Sequence, residues 1–124
     1  ALEPSADDRL SAKTENAVLE FLRAGPELSV DALVRLYAPD LTLPAFSLLV
    51  SRWAHDLMRS ALGLEPRYFI DENAAIERLA SHTDAKRAAG FCTQALSCRR
   101  AADHTLNPKQ TVESVLLRYK QIFQ

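Results

Sequence analysis

The feature of this sequence that most constrains its fold is the helical spacing of large apolar residues between Pro44 and Gly63. At about 100° per residue these side chains form one broad arc, whereas a β-strand would require strict alternation of apolar and polar residues. The arc predicts the central helix of a core and consists of Phe46, Leu49, Val50, Trp53, Ala54, Leu57 and Ala61. The opposite side predicts a solvated or partner-facing strip and consists of Ser51, Arg52, His55, Asp56 and Arg59.

Helical periodicity recurs along most of the 124 residues, and the sequence contains few β-branched residues and no alternating runs. We therefore predict an all-α protein, a single bundle of about six helices. Residues 1–10 are predicted to be a linker or frayed arm, and residues 11–124 one helical domain. The predicted helices span 11–24, 30–38, 44–63, 72–82, 85–104 and 107–123.

The segment "EPRYFID", between the third and fourth predicted helices, breaks the helical pattern. Its aromatic residues Tyr68 and Phe69 are predicted to fold back on the bundle. Thr83 and Asp84 then predict the cap of the fifth helix. The apolar arc of that helix is rich in small residues and consists of Ala85, Ala88, Phe91, Cys92, Ala95, Leu96, Cys98 and Ala102.

The last predicted helix carries one more large apolar residue than a single buried face requires. Asn107 as N-cap, Pro108 at the first helical position and Gln110 define its start. One arc of about 120° contains Val112, Val115, Leu116, Tyr119, Ile122 and Phe123. Leu117 falls outside this arc, which predicts a second apolar contact on this helix.

Two charges interrupt the apolar arc of the fifth helix, because Arg99 and Asp103 stand at i, i+4 spacing. One interpretation is an exposed helical pair. The other is a partly buried pair that fixes helix register or meets a neighbouring molecule.

Charge is unevenly distributed along the chain, although the net charge is only −1. Residues 1–82 contain 8 Lys or Arg and 13 Asp or Glu, whereas residues 83–124 contain 7 and 3. No aromatic residues alternate with the basic ones for base stacking, which favours a solvated face or an acidic protein partner over nucleic acid. The basic residues concerned are Lys86, Arg87, Arg100, Lys109, Arg118 and Lys120.

Sequence patterns for catalysis are weak. The His55-Asp56 pair resembles part of a metal-dependent phosphohydrolase motif, but no histidine precedes it to complete a ligand set. The glycines form no phosphate-binding loop, and neither cysteine has a histidine at motif spacing. We expect no enzymatic activity, no catalytic residue, no cofactor and no metal ion in this chain.

The sequence also bears on cellular location. Cys92 and Cys98 lie on different faces of one predicted helix, which indicates reduced packing residues of a cytosolic protein. No signal peptide and no apolar run long enough to span a membrane is present in the sequence. Because the chain begins with Ala1 rather than Met, we expect a fragment of a longer cytoplasmic protein.

Two stretches together resemble the C-terminal domain of bacterial DNA polymerase III delta-prime subunits. They are "LLVSRWAHDLMRSALGLEPRYF" at 48–69 and "CRRAADHTLNPKQTVESVLLRYKQIF" at 98–123. The similar features are the tryptophan-bearing helix before "GLEPRYF", the Arg-Arg pair followed by His-x-Leu-Asn-Pro, and "LLRY" in the last helix. The resemblance covers about residues 28–124.

The resemblance implies a non-catalytic collar domain of the clamp loader, which places the sliding clamp on primed DNA within a DNA-directed DNA polymerase holoenzyme, a transferase. In that family the collar domains form a pentameric ring, and the ATPase-like modules precede them in the chain. It implies bacterial cytoplasm and, as partners, the delta and tau/gamma subunits, with DNA bound only through the assembly. The expected subunit-interface residues are Leu117, Arg118, Arg99, Asp103 and Arg100.

Two questions stay open at this level. The isolated domain is expected to be either a monomer or a weak self-associate. A stand-alone all-α nucleic-acid-binding module that uses the basic last third is the alternative to the collar domain, because basic side chains can contact phosphates.

Overall fold

The computed structural model describes residues 11–29, 31–32, 41–100 and 108–124, with the backbone alone for residues 99, 100 and 108. In this part of the chain the protein has five helices and no strand, which confirms the predicted all-α class. They are α1 (Ala12–Ala24), α2 (Leu43–Ala61), α3 (Asn73–Ala80), α4 (Ala85–Arg100) and α5 (Pro108–Gln121). The predicted arm at 1–10, most of the predicted helix at 30–38 and the predicted end of the fifth helix lie outside the described residues.

Helix α2 is the central element of the bundle. Its N-terminus is capped by Thr42, whose Oγ1 accepts a hydrogen bond from the Ala45 backbone N–H at 3.4 Å, and Pro44 lies in its first turn. It contacts the other four described helices and packs most extensively against α4. The predicted core residues are buried or nearly so: Phe46, Leu49, Val50, Trp53, Ala54 and Leu57.

The polar strip predicted for α2 is wrong at two of its five positions. Ser51 and Asp56 are buried, whereas the other three side chains are partly or fully exposed. Ser51 lies beneath α4, and its backbone carbonyl accepts a hydrogen bond from the Cys92 thiol at 3.6 Å. Asp56 lies beneath the loop that follows α2. A central helix is covered on more than its core side, so less of its circumference meets water than periodicity alone suggests.

A chain of buried hydrogen bonds joins three helices through the core. The Trp53 indole N–H donates to the Tyr119 hydroxyl at 2.9 Å, and that hydroxyl donates to the Leu22 carbonyl at 2.5 Å. The Tyr119 ring also lies 5.3 Å from the Phe91 ring and 5.1 Å from the Phe123 ring, centroid to centroid. Apolar burial and satisfied polar groups therefore fix α1, α2 and α5 together.

The end of α1 is joined to the region around α3. Gly25 ends α1 with a φ of +54°, and an added Cβ there would collide with the Leu79 side chain. Arg23 makes a two-pronged ion pair with Glu72, with nitrogen–oxygen distances of 2.9 and 2.6 Å. Arg78 donates to the Arg23 backbone carbonyl at 3.1 Å, which satisfies one of the unpaired carbonyls at the end of α1.

Helix α4 begins as predicted, because Asp84 accepts a hydrogen bond from the Arg87 backbone N–H at 2.8 Å. Its small residues Ala88 and Ala95 are buried, which permits the close contact with α2. The prediction that Leu96 faces the core is wrong, since this side chain is 41% exposed. The face of α4 that packs against the bundle is narrower than the predicted apolar arc, and Leu96 lies outside that buried face.

Candidate interaction surfaces

Leu117 lies on the outer side of α5. Its side chain is 41% exposed, whereas its helix neighbours Leu116 and Tyr119 are completely buried. This exposure agrees with the prediction that Leu117 falls outside the core-facing arc. A large apolar side chain that its own bundle does not cover is available for contact with another molecule.

A groove runs between α4 and α5 on the same side of the bundle as Arg118. It consists of two clefts of about 530 and 510 Å³, which share Phe91, Gln94 and Arg118 as lining residues. We call their combined length the α4–α5 groove. The lining of the first cleft comprises Leu43, Phe91, Gln94, Ala95, Ser97, Cys98, Gln110, Thr111, Ser114, Val115 and Arg118.

For the predicted interface residues Arg99, Arg100 and Asp103, the structure describes no side chain. Arg99 and Arg100 form the last residues of α4, and their side chains are not among those described. Asp103 lies outside the described residues. The predicted Arg99–Asp103 pair and the interface roles of these three residues therefore stay predictions.

A second apolar surface lies on the loop between α2 and α3, residues 62–70, which we call the α2–α3 loop. It carries four of the six large apolar side chains that stand exposed in the described part of the chain. They are 45% to 70% exposed and comprise Leu62, Leu64, Tyr68 and Ile70. This concentration of exposed apolar groups makes the loop a candidate interaction surface.

The α2–α3 loop is held in place by a buried carboxylate. Asp56, whose side chain is fully buried, accepts hydrogen bonds from the backbone N–H groups of Arg67, Tyr68 and Phe69 at 2.8, 2.9 and 2.8 Å. Charge-assisted hydrogen bonds of this kind are stronger than neutral ones. The loop therefore presents its exposed side chains in one fixed arrangement.

The two aromatic residues of this loop have different environments. Phe69 packs edge-on against Trp53, with ring centroids 5.3 Å apart, as the predicted plug requires. Tyr68 also folds back against α2 but is not a buried plug, because it is 45% exposed and its ring lies between the guanidinium groups of Arg52 and Arg67, at 5.2 and 5.6 Å from the ring centroid. His55 contacts the edge of the same ring at 5.5 Å.

The structural role of Asp56 could not be read from the sequence. Its partners lie 11 to 13 residues further along the chain and depend on the loop turning back over α2. The exposed apolar cluster did leave a signal, because large apolar residues are unusual in a segment that carries both glycine and proline.

The structure also shows the contacts of the His55-Asp56 pair. The carboxylate oxygens of Asp56 accept hydrogen bonds from three backbone N–H groups. His55 Nδ1 lies 3.7 Å from Asp56 Oδ1 and has no hydrogen-bond partner in the described region. Within the described residues no three His, Cys, Asp or Glu side chains converge as metal ligands would. Asp56 thus holds the loop, whereas His55 contacts it only through the edge of the Tyr68 ring.

Burial in the core changes the pKa of the Cys92 thiol and of the Tyr119 hydroxyl. Cys92 and Cys98 are both free, and burial raises the pKa of the Cys92 thiol. Burial also raises the pKa of the Tyr119 hydroxyl, which outweighs the opposing effect of its hydrogen bond to Trp53. Both groups are therefore neutral packing and hydrogen-bonding residues at ordinary pH.

The described part of the chain is an all-α domain that exposes large apolar side chains on α4, on α5 and on the α2–α3 loop. None of the helices in the described ranges is long and apolar enough to cross a bilayer. Comparisons with protein-family models, curated proteins and solved structures give no match to this chain. Function is therefore inferred from the sequence resemblance and from the geometry of these surfaces.

Proposed function

We propose that this chain is the collar domain of a delta-prime subunit of the bacterial DNA polymerase III clamp loader. Its role is assembly without catalysis: it holds the subunit in the pentameric collar that supports the loading of the sliding clamp onto primed DNA. Its partners are the delta and tau/gamma subunits in the bacterial cytoplasm, and DNA is contacted only through the assembly.

The observation that carries this proposal is the 41% exposure of Leu117 on a helix whose other large apolar residues face the core. Water contact of a leucine side chain is unfavourable, and covering the exposed part contributes on the order of 1 kcal/mol to association. A helix that serves both its own bundle and an adjacent subunit needs such a residue.

The presence of two separate surfaces, the α2–α3 loop and the α4–α5 groove, also supports the proposal. In a closed ring each subunit contacts two neighbours through different patches, because head-to-tail contacts are heterologous. The α2–α3 loop follows the C-terminus of α2, whereas the first cleft of the α4–α5 groove includes Leu43 at the N-terminus of that helix. At about 1.5 Å per residue, the 19 residues of α2 place the Leu43 end of this cleft roughly 27 Å from the start of the loop.

The test is co-assembly with purified delta and tau/gamma subunits. Leu117→Asp is expected to reduce the amount of this chain that elutes with the complex by about tenfold, because a charge is placed in a buried seam. Size-exclusion chromatography followed by quantitative gel analysis measures this. Asn16→Asp, on the exposed side of α1, adds the same charge away from both surfaces and is the matched control.

An unchanged complex with Leu117→Asp, under conditions where the circular dichroism spectrum shows that the variant is folded, would contradict the proposal. Equal losses with Leu117→Asp and Asn16→Asp would also contradict it, since the effect would then reflect added charge rather than the site. Retention of the complex by the control and its loss in the Leu117 variant would support it.

The nucleic-acid-binding alternative is less well supported by the contacts of the basic residues. Lys120 donates to the Leu28 carbonyl at 2.9 Å, and Arg87 donates to the Gln124 carbonyl at 2.7 Å, so two of these side chains are engaged within the domain. Affinity for primed DNA that falls steeply with salt in a filter-binding assay would favour this alternative.

A further inference from the structure

The α4–α5 groove has a chemistry that selects for one kind of occupant. The floor of its first cleft is apolar and includes Leu43, Phe91, Ala95 and Val115, and the second cleft adds Ile122 among mostly polar side chains. Its second cleft extends past Gly90, where an added Cβ would meet nothing within 4 Å, so the groove is open at that point. An apolar floor between two parallel walls of helix is the usual seat of an amphipathic helix.

The charged side chains that line the α4–α5 groove, among the described residues, are all positive. Arg118 lines both clefts and Arg87 lines the second, while no Asp or Glu is present among the described residues that line either cleft. Arg87 is already paired with Asp84, with Nε 3.6 Å from Oδ2. Arg118 is exposed and has no ion-pair partner within the described ranges, so its guanidinium is available to an incoming carboxylate.

The length of the groove suits a helix. The 14 residues of α5 extend about 21 Å at 1.5 Å per residue, and the two clefts follow α5 from Gln110 to beyond Gln121. A helix of three to four turns laid along it would place apolar side chains at i, i+3 or i+4 and i+7 on the floor. Acidic residues on its edge would then meet Arg118.

We propose that the α4–α5 groove binds an acidic amphipathic α-helix of a neighbouring subunit, with a carboxylate of that helix paired to Arg118. The two-pronged geometry of guanidinium and carboxylate fixes the register of the bound helix. The identity of the neighbour rests on the proposed function. The preference of the groove for an apolar helix with acidic edges rests on its lining residues alone.

The experiment uses the whole 124-residue chain and a designed probe. The probe is a fluorescein-labelled peptide of about 15 residues, with leucines at helical spacing on one face and glutamates on both edges. We expect it to bind with a Kd below about 1 mM and at least about tenfold more tightly than a peptide with lysine in place of every glutamate. Fluorescence anisotropy gives the affinities, and amide chemical-shift changes locate the site.

Variants of the chain separate charge selection from apolar contact. Arg118→Glu is expected to weaken binding of the acidic peptide about tenfold and to strengthen binding of the lysine peptide. Arg118→Lys, which keeps the charge but cannot make the two-pronged pair, is expected to retain only part of the affinity for the acidic peptide. Lys86→Glu makes the same charge reversal at an exposed position of α4 that lines neither cleft, and should leave binding unchanged.

Three outcomes would overturn the proposal: no binding of the acidic peptide, equal binding of both peptides, or shift changes away from α4 and α5. Failure of the groove and failure of the proposed function are separable. If the peptide binds as expected but Leu117→Asp does not affect co-assembly, the clamp-loader assignment fails and the groove stands. If co-assembly depends on Leu117 but the peptide does not bind, only the groove proposal fails.

Discussion

At the scale of single residues, Asp56 shows how tertiary contacts override periodicity. Its position on α2 predicts solvent exposure, yet it is fully buried and accepts three backbone hydrogen bonds. Burying a carboxylate is unfavourable unless its oxygens are satisfied, and here the α2–α3 loop satisfies them. Leu117 is the opposite case, because its exposure follows directly from helical spacing.

Asp56→Asn is expected to lower the free energy of unfolding by about 2–4 kcal/mol. The amide has one oxygen, so its NH2 group would face backbone N–H donors that have lost their acceptor. Urea denaturation followed by circular dichroism measures the change. Asp71→Asn, at an exposed position, is the control and should shift the free energy by less than about 0.5 kcal/mol. Similar small changes in both variants would show that the carboxylate does not hold the loop.

At the scale of elements, local signals predicted most helix boundaries. Ser11 caps α1, Gly25 ends it, Asp84 caps α4 and Pro108 begins α5, all of which are short-range properties of the chain. Predictions were weaker where a neighbour decides the outcome. The start of α3, predicted at Glu72, is preceded by a 3₁₀ turn at Ile70–Glu72, and Leu96 was assigned to a buried face that α2 does not reach.

The Arg23–Glu72 ion pair, which joins the end of α1 to that turn, predicts a pH dependence. The hydrogen bond from Arg23 lowers the pKa of the Glu72 carboxyl group below 4.5. The folded state therefore binds a proton at Glu72 less readily than the unfolded state does. The stability from this pair is present above pH 4.5 and is lost as the pH falls through the lowered pKa. Both side chains are partly exposed, at 32% and 22%, so solvent screening limits the contribution to about 1 kcal/mol.

Glu72→Gln is therefore expected to lower the free energy of unfolding by about 1 kcal/mol at pH 7 and by progressively less below pH 4.5. Urea denaturation at a series of pH values measures the difference between the two proteins. Glu65→Gln, at an exposed position of the α2–α3 loop, is the control. A difference that stays constant from pH 7 to pH 3 would show that the pair does not contribute through its charge.

At the scale of the whole molecule, the sequence predicted which faces are apolar but not which faces meet. The all-α class and the central position of α2 were predictable because they follow from composition and period. The α4–α5 groove was not, since it depends on the distance between two helices, although Arg118 on its wall was among the predicted interface residues. The hydrogen-bonded chain from Trp53 to Tyr119 and Leu22 also required the packed structure.

Tyr119→Phe tests how strongly that chain joins α1, α2 and α5. The change leaves the buried Trp53 N–H without its acceptor and removes one of two donors to the Leu22 carbonyl, which keeps the Gly25 backbone N–H, so we expect the free energy of unfolding to fall by about 1–3 kcal/mol. Trp53 is the only tryptophan, so its fluorescence reports the unfolding transition in urea. Tyr68→Phe, at an exposed ring, should change the free energy by less than about 0.5 kcal/mol. Equal effects would mean that the buried hydroxyl adds no stability.

The tether between Asp56 and the α2–α3 loop also links an outer surface to the integrity of the innermost helix. Because three hydrogen bonds attach the loop to a buried residue of α2, the loop keeps its shape only while that helix is intact. A molecule that recognises Leu62, Leu64 and Ile70 in their fixed arrangement would therefore discriminate native copies from denatured ones. If this chain joins an assembly through the α2–α3 loop, unfolded copies would therefore be excluded from that assembly.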